Sequence, residues 1–333
     1  MKATFDGTWA RLGADGIALY EHGGYGRPET GGLRLSPEEA LYLFWRGKIT
    51  IEGHTFESLL AELSKEKTFL RRYLVYRDIR ERGYAIQTGP QDFRVFRRGE
   101  KPGKGRSQYM IRVLSERDIV RFLEVAGEVQ AASNIRKQYL LAVVDDEGEL
   151  TYYEVKTHAL PEAEAPLNTE PMEGTLYGGT VIVRAPSGTA LEKIWLGTSL
   201  DKEKTMFTTV EAAYLMGAGL LTITNVTITE EEYLSQARES DQELSEKMAV
   251  YRHLRDLAYI PRTGYKFGHH FRVYSGSKKH SEMLVHALAG DAAHPMSMIS
   301  RSVRLAHSVR KKMLFGCVGE ESIEYIEFAR IKL

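Results

Sequence analysis

The chain has 333 residues, a formal net charge of zero, 43% hydrophobic and 27% charged residues, and a single cysteine. This length predicts two or more domains, and the composition excludes a disordered or fibrous protein. One cysteine excludes a disulfide framework or a cysteine-based zinc site within one chain, and Cys317, in an apolar run, is predicted to be a core residue.

The beginning of the sequence has no apolar segment after its first lysine, so neither a secretory signal nor a transit peptide is predicted. The longest apolar stretch, residues 212–223, is shorter than the roughly 20 residues that a membrane span needs. It predicts instead a buried helix that leads into a strand. We therefore expect a cytoplasmic protein with no membrane partner.

An internal repeat organises the sequence. Residues 36–51 recur as residues 208–223, at an offset of 172 positions. Further segments match downstream at offsets of 174 to 178, namely 75–89 with 250–264, 93–96 with 271–274, and 134–144 with 308–318. Small changes of offset indicate short insertions in a common framework, so the chain is predicted to be a tandem duplication.

The predicted elements follow the same order in both halves. A Ser/Thr-x-x-Glu capping box begins a helix at Ser36 and again at Thr208, and a short strand follows. The later part of each half is predicted to hold a helix, two strands, a second helix near 116–125 or 295–306, and a terminal pair of strands. This order predicts an α+β fold in which each half has an N-terminal α/β subdomain and a C-terminal mixed-sheet subdomain.

A linker is predicted between the halves, because residues 158–171 carry three of the ten prolines together with acidic and small residues. The predicted domains are 1–157, with subdomains 1–65 and 66–157, and 172–333, with subdomains 172–245 and 246–333.

Charge is unevenly distributed along the chain. Residues 246–333 contain 15 Lys and Arg against 8 Asp and Glu, a net charge of +7, which leaves −7 for residues 1–245. Seven of the ten histidines also lie in this last part. A basic segment inside a neutral chain predicts a polyanionic partner for one face.

The two halves differ in the polar residues that they carry at matched positions. The second half has Tyr274, His280 and Lys311. The first half has, at the same places, Phe96, Arg106 and Lys137. A tyrosine, a histidine and a lysine can supply the base, the acid and the cation that RNA cleavage by the adjacent 2′-hydroxyl requires, and this reaction needs no metal.

Four segments of the second half resemble, in order, the signatures of the tRNA-splicing endonuclease catalytic domain: residues 264–268, 271–274, 280–285 and 304–312. The duplicated layout, with a degenerate first copy, resembles the archaeal subclass that works as a homodimer. The resemblance implies an endonuclease that excises introns from precursor tRNA at bulge-helix-bulge motifs. It also implies no cofactor or metal, 2′,3′-cyclic phosphate and 5′-hydroxyl ends, and a degenerate nuclease-like subdomain in the first half.

The resemblance also implies residue roles. In the family a tyrosine is the base, a histidine the acid and a lysine the transition-state stabiliser, which maps onto Tyr274, His280 and Lys311. The loop between this tyrosine and this histidine is shorter than expected for the family.

Two further features are implied by the resemblance. A pair of family arginines that sandwich a flipped bulge base corresponds to Arg304 and Arg330. An acidic loop that docks into a basic cleft of the neighbouring chain corresponds to Asp145, Asp146 and Glu147.

Other functions fit parts of the sequence. Asp146, Glu154 and Lys156 imitate the D…ExK signature of metal-dependent nucleases. The chain could also be a non-catalytic, tRNA-binding structural subunit. The paired histidines His269 and His270, and His280 with His286, resemble metal ligands without an accompanying cysteine or carboxylate, and the basic loop 97–107 suits phosphate contact.

Overall fold

The computed structural model of the protein describes residues 1–161, 169–185, 191, 195–275 and 280–333. The chain divides into two compact units. The first comprises Met1–Lys156, Ala293–Arg301 and Phe328–Leu333, and the second comprises Thr157–Ala292 and Ser302–Glu327. Within the described ranges, no helix combines the length and the apolar character that crossing a membrane requires.

The first unit begins with a five-stranded sheet and three helices. The strands are β1 (Lys2–Phe5), β2 (Ala10–Leu12), β3 (Arg27–Glu29), β4 (Gly32–Leu35) and β5 (Thr50–Ile51), and the helices are α1 (Ile17–Gly23), α2 (Pro37–Trp45) and α3 (Phe56–Leu63). The strands are neighbours in the order β3-β4-β2-β1-β5. Leu33, Leu41 and Leu59, one from the sheet and two from helices, are fully buried in the core between them.

The predicted capping boxes are confirmed. Glu39 accepts hydrogen bonds from the backbone N–H groups of Ser36, at 2.9 Å, and Gly26, at 2.8 Å. Thr208 and Glu211 cap the equivalent helix of the second half in the same way. One local interaction therefore fixes the start of the same helix in both halves.

The rest of the first unit is built on a mixed sheet. Its elements are α4 (Phe69–Glu81), β6 (Ile86–Thr88), β7 (Phe93–Phe96), β8 (Ser107–Ser115), β9 (Ile119–Arg121), α5 (Phe122–Asn134), β10 (Gln138–Val144) and β11 (Leu150–Thr157). Five of the strands are neighbours in the order β11-β10-β8-β7-β6. β8 and β10 run parallel, so α5 is the crossover between them.

The bounds of the helix predicted near 116–125 are wrong. Residues 119–121 form the strand β9, which pairs with Ala293–Pro295, and the helix begins only at Phe122. The backbone N–H of Met296 also donates to the carbonyl of Asp118 at 2.9 Å. Pairing with a distant segment decides the structure here, and a local pattern cannot encode that.

The second unit repeats the first five-stranded sheet. Its elements are β12 (Met172–Tyr177), β13 (Thr180–Arg184), β14 (Thr198–Ser199), β15 (Lys204–Phe207), α6 (Thr209–Gly217), β16 (Leu221–Ile223) and α7 (Glu230–Arg238). The sheet order is β14-β15-β13-β12-β16. Residues 212–223 thus form a helix followed by a strand, as predicted.

The remaining elements of the chain repeat the mixed sheet of the first half. They are α8 (Leu244–Asp256), β17 (Tyr259–Thr263), β18 (Phe271–Ser275), β19 (Met283–Ala289), β20 (Ala293–Pro295), α9 (Met296–Ser308), β21 (Lys312–Val318) and β22 (Ile323–Ile331). Five strands are neighbours in the order β17-β18-β19-β21-β22. β19 and β21 run parallel, as β8 and β10 do in the first half. The predicted α+β class is confirmed.

Cys317 lies on β21 and is 7% exposed. Burial, and then the nearby carboxylate of Glu324, raise the pKa of its thiol to about 12. The prediction of a core cysteine is therefore confirmed.

Part of the predicted linker, residues 162–168, lies outside the described residues. At its start, the backbone N–H of His158 donates to the carbonyl of Tyr325 at 2.8 Å, and its ring lies 2.7 Å from the carboxylate of Glu327. These contacts fix the beginning of the segment against β22.

Candidate active site

Tyr274 lies on β18 and is 6% exposed. Because strand residues alternate between faces, Tyr274 and Arg272 share one face while Phe271 and Val273 point into the core. The Tyr274 ring packs on the ring of Trp195, with 4.9 Å between the ring centroids, and the guanidinium of Arg272 lies 5.8 Å from its centroid. This packing holds the tyrosine ring in place.

His280 is exposed and precedes β19. The loop between Tyr274 and His280 is shorter than expected for the family. It falls on residues 276–279, which lie outside the described residues. The strands on either side, β18 and β19, end at Ser275 and begin at Met283.

Lys311 is half-buried just before β21, and its Nζ donates to the backbone carbonyl of Ser281 at 2.7 Å. Burial, and then the nearby cations Arg272 and Lys266, lower the pKa of this amine. Since Ser281 directly follows His280, the hydrogen bond brings the lysine to the backbone next to the histidine.

The sheet topology brings the three predicted catalytic residues to one edge. β18 and β19 are antiparallel, with Val273 opposite Met283, and β19 and β21 are parallel, with Met283 opposite Lys312. The end of β18 therefore meets the starts of β19 and β21. Tyr274, His280 and Lys311 lie at these three places.

The first half keeps the lysine contact and lacks the other two groups. Lys137 Nζ donates to the hydroxyl of Ser107, and lies 3.4 Å from its carbonyl oxygen. Phe96 is buried at the tyrosine position, and Arg106 is exposed at the histidine position. The lysine contact is thus part of the shared framework, and the difference between the halves lies at the other two positions.

Arg304 lies on α9 and Arg330 lies near the end of β22, and both side chains are exposed. Each is free to present its guanidinium to a ligand in solution. Their proposed action as a pair stays a prediction.

The acidic turn joins β10 and β11 as predicted, with the N–H of Gly148 donating to the carbonyl of Asp145 at 3.1 Å. The Asp145 carboxylate accepts from the N–H groups of Glu147, at 3.0 Å, and Glu149, at 2.9 Å. Asp146 and Glu147 are exposed, and Asp146 forms an ion pair with Arg117. Asp145 therefore organises the turn, while its two neighbours face solvent.

The geometry does not support a metal-dependent nuclease site at Asp146, Glu154 and Lys156. Glu154 lies opposite Leu140 in the hairpin, on the order of 15 Å from the turn that holds Asp146, given a rise of about 3.4 Å per residue. Its carboxylate accepts a 2.8 Å hydrogen bond from Gln138. Two carboxylates this far apart cannot share one ion.

The structure also shows a cluster of two histidines and a glutamate, His270, His286 and Glu243, of which the sequence indicated only the histidines. His270 stacks on His286, with 4.0 Å between ring centroids, and ligand atoms of these two rings and of Glu243 lie within 4.8 Å of one another. However, the N–H of Ala287 donates to Nδ1 of His270 at 3.0 Å, so the neutral ring carries its proton on Nε2, facing Glu243 at 3.3 Å. That proton occupies the position that a metal ion needs.

Burial keeps the rings of His269 and His270 neutral near pH 7. Burial and the neighbouring His286 lower the pKa of His269 to about 4. Burial, His286 and Lys247 lower the pKa of His270 to about 4, although Glu243 opposes the shift.

Arg272 is the residue of this site that the sequence comparison between the halves missed. Its counterpart, Arg94, is also an arginine, so the matched positions show no substitution. The alternation of β18 could have placed it beside Tyr274.

Two domain families match the chain, and each matches twice. The tRNA intron endonuclease catalytic C-terminal domain matches residues 69–152 and 244–325, and the tRNA intron endonuclease N-terminal domain matches residues 1–60 and 172–234. The two pairs of matches confirm the tandem duplication.

Proteins named tRNA-splicing endonuclease are similar to this chain over nearly all of its length. The protein of Methanococcoides burtonii is 38% identical over 332 residues, covering 95% of both chains. That of Methanosarcina acetivorans is 37% identical over 354 residues, covering all of both chains, and that of Natronomonas pharaonis is 33% identical, covering 94% of each.

Proposed function

The chain belongs to the tRNA intron endonuclease family, and from this premise we propose that it cuts precursor tRNA at bulge-helix-bulge motifs without a metal ion. Cleavage occurs by attack of the 2′-hydroxyl on the neighbouring phosphate. The products are a 2′,3′-cyclic phosphate and a 5′-hydroxyl.

The convergence of Tyr274, His280 and Lys311 at one sheet edge carries this proposal. Tyr274 accepts the proton of the 2′-hydroxyl, His280 gives a proton to the departing 5′-oxygen, and Lys311 stabilises the negative charge of the phosphorane. Lysine has three donors and uses one on Ser281, so two remain for phosphate oxygens.

Two arginines bind the flipped nucleobase of the bulge. Arg304 and Arg330 hold a flipped bulge base between their guanidinium planes, because a planar cation can stack on the face of a nucleobase. Their exposure leaves both planes accessible.

The working enzyme is a homodimer. A bulge-helix-bulge substrate has two scissile phosphates related by an approximate two-fold axis, whereas the chain has one complete Tyr, His and Lys set. A two-fold dimer, the commonest closed oligomer, supplies two sites with matching symmetry. The exposed Asp146 and Glu147, on a turn organised by Asp145, dock into a basic surface of the second chain.

One experiment tests the proposed function. Purified protein is incubated with a bulge-helix-bulge RNA in EDTA, and the ends of the products are analysed. We expect cleavage with 2′,3′-cyclic phosphate and 5′-hydroxyl ends, because an intramolecular attack needs no metal-bound water. A strict Mg²⁺ requirement, or 5′-phosphate ends, would overturn the proposal.

A further inference from the structure

Arg272 lies beside Tyr274, and among the described residues its cation has no acceptor or carboxylate as partner. It is half-buried, and its Nε is buried with no hydrogen-bond partner. In the part of the chain that the structure describes, its guanidinium forms neither a hydrogen bond nor an ion pair, and it lies 5.8 Å from the centroid of the Tyr274 ring. A partly buried charge that lacks an opposite charge is costly, so this group is suited to bind an anion from outside.

The matching arginine of the first half, Arg94, also has a buried Nε without a partner, but its terminal nitrogen has an acceptor inside the chain. Arg94, which matches Arg272, donates to the side-chain oxygen of Gln87 at 3.1 Å. In the second half the matched position of Gln87 is Arg262, which lies directly opposite Arg272 in the β17–β18 ladder. An arginine has donors only, so the acceptor that serves Arg94 is absent for Arg272.

Arg262 cannot accept a hydrogen bond from Arg272, and its own guanidinium already has acceptors within the chain. Its guanidinium binds the carboxylate of Glu211 at 3.0 Å and the carbonyl of Gly197 at 2.8 Å. The unsatisfied charge on this face therefore belongs to Arg272. The positive charges of Arg272 and Lys266 act on Lys311, and an anion that enters the site relieves this repulsion.

We infer that Arg272 is a further catalytic residue, which donates to a non-bridging oxygen of the scissile phosphate and stabilises the phosphorane together with Lys311. The inference rests on the proposed function. In the step, the bond from the 2′-oxygen to phosphorus forms and the bond from phosphorus to the 5′-oxygen breaks. One proton passes from the 2′-hydroxyl to the phenolate form of Tyr274 and another from the protonated ring of His280 to the 5′-oxygen, while Arg272 and Lys311 keep theirs.

The matched pair Arg272→Gln and Arg94→Gln tests this assignment. Single-turnover cleavage of a bulge-helix-bulge RNA is measured at saturating enzyme, in EDTA. We expect Arg272→Gln to lower the rate by about 10² or more, as removal of one transition-state donor does, while Arg94→Gln keeps a rate close to that of the unmodified protein. Binding of an RNA with a 2′-deoxy group at the cleavage site should change far less than the rate.

Two further measurements separate chemistry from folding. Arg272→Lys keeps the charge, so it should fold and recover part of the rate, since lysine lacks the planar fork. The second measurement uses an RNA in which sulfur replaces one non-bridging oxygen of the scissile phosphate, which gives two stereoisomers. The unmodified enzyme should cleave one stereoisomer more slowly than the other, and Arg272→Gln should reduce this difference in rate.

The outcomes are distinguishable. If the unmodified protein cleaves in EDTA and folded Arg272→Gln cleaves within about threefold of its rate, the role of Arg272 is overturned and the proposed function stands. The role of Arg272 is also overturned, and the proposed function stands, if folded Arg272→Lys and folded Arg94→Gln lose cleavage rate equally. If the unmodified protein does not cleave the RNA, both proposals fall.

Discussion

Lys311 donates a 2.7 Å hydrogen bond to the backbone carbonyl of Ser281, the residue that follows His280. The equivalent lysine of the first half, Lys137, contacts the equivalent serine, Ser107. The contact therefore belongs to the framework of both halves, and only one of them places a histidine and a tyrosine around it.

The two lysines should consequently respond differently to removal. We expect Lys311→Ala to lower single-turnover cleavage by about 10² or more, since it removes the cation next to the phosphorane. Lys137→Ala should keep the rate and lower only the free energy of unfolding, by about 1 kcal/mol for a lost hydrogen bond. Denaturant titration of both variants, beside the cleavage assay, checks this. Equal losses of rate would contradict the assignment of the active half.

The histidine position gives a second matched pair. His280→Ala should lower the rate by about 10² or more because the 5′-oxygen loses its acid. Arg106→Ala, at the counterpart position, should leave the rate nearly unchanged. Both residues are exposed, so neither change should move the free energy of unfolding by more than about 0.5 kcal/mol. An inactive Arg106→Ala protein would show that the first half takes part in the chemistry.

Acid should destabilise the fold through the buried histidines. The pKa values of His269 and His270 are about 4 in the folded chain, below the value of about 6.5 for an unfolded chain. The unfolded state then binds more protons between these values, so the free energy of unfolding falls as pH drops from about 6.5 towards 4. The loss can reach roughly 3 kcal/mol per ring, at about 1.4 kcal/mol per pKa unit.

Urea unfolding at pH 7.5, 6.5 and 5.5 measures this loss. The control is His269→Asn, which removes one titrating ring and should flatten the slope with pH. An unchanged slope in this variant would mean that His269 is protonated in the folded chain.

The acidic turn can be tested without unfolding it. Asp145 accepts two backbone hydrogen bonds within the turn, so replacing it alters the turn itself. Asp146→Lys combined with Glu147→Lys reverses charge on the exposed residues and keeps Asp145. We expect this protein to be monomeric by light scattering, folded by circular dichroism and inactive. A control at another exposed acidic position of the first half, Glu57→Lys, should stay dimeric.

If the charge-reversed protein is dimeric and active, the acidic turn is not the dimer contact.

Much of the fold follows from local signals in the sequence. The helices that start after Ser36 and Thr208 could be predicted because the capping residues and the helix they begin are adjacent in the chain. Strand β9 could not, since its existence depends on pairing with residues 293–295, which are far away in sequence.

The same distinction holds for the site. Tyr274, His280 and Lys311 stand out because two of these three positions differ between the halves. Arg272 does not, because both halves have an arginine there and only the partner at Gln87 or Arg262 differs. A comparison of matched residues finds changes in the residue itself and overlooks a change in what surrounds it.

The buried position of Cys317 also makes the chain convenient for distance measurements. Its thiol is 7% exposed and its pKa is raised to about 12, so a maleimide or a spin-label reagent should leave it unmodified at neutral pH. The chain has no other cysteine. A single cysteine introduced at an exposed residue such as Ser133 would then carry the only label on each chain. In a two-fold dimer, pulsed electron resonance on that protein would record one inter-label distance.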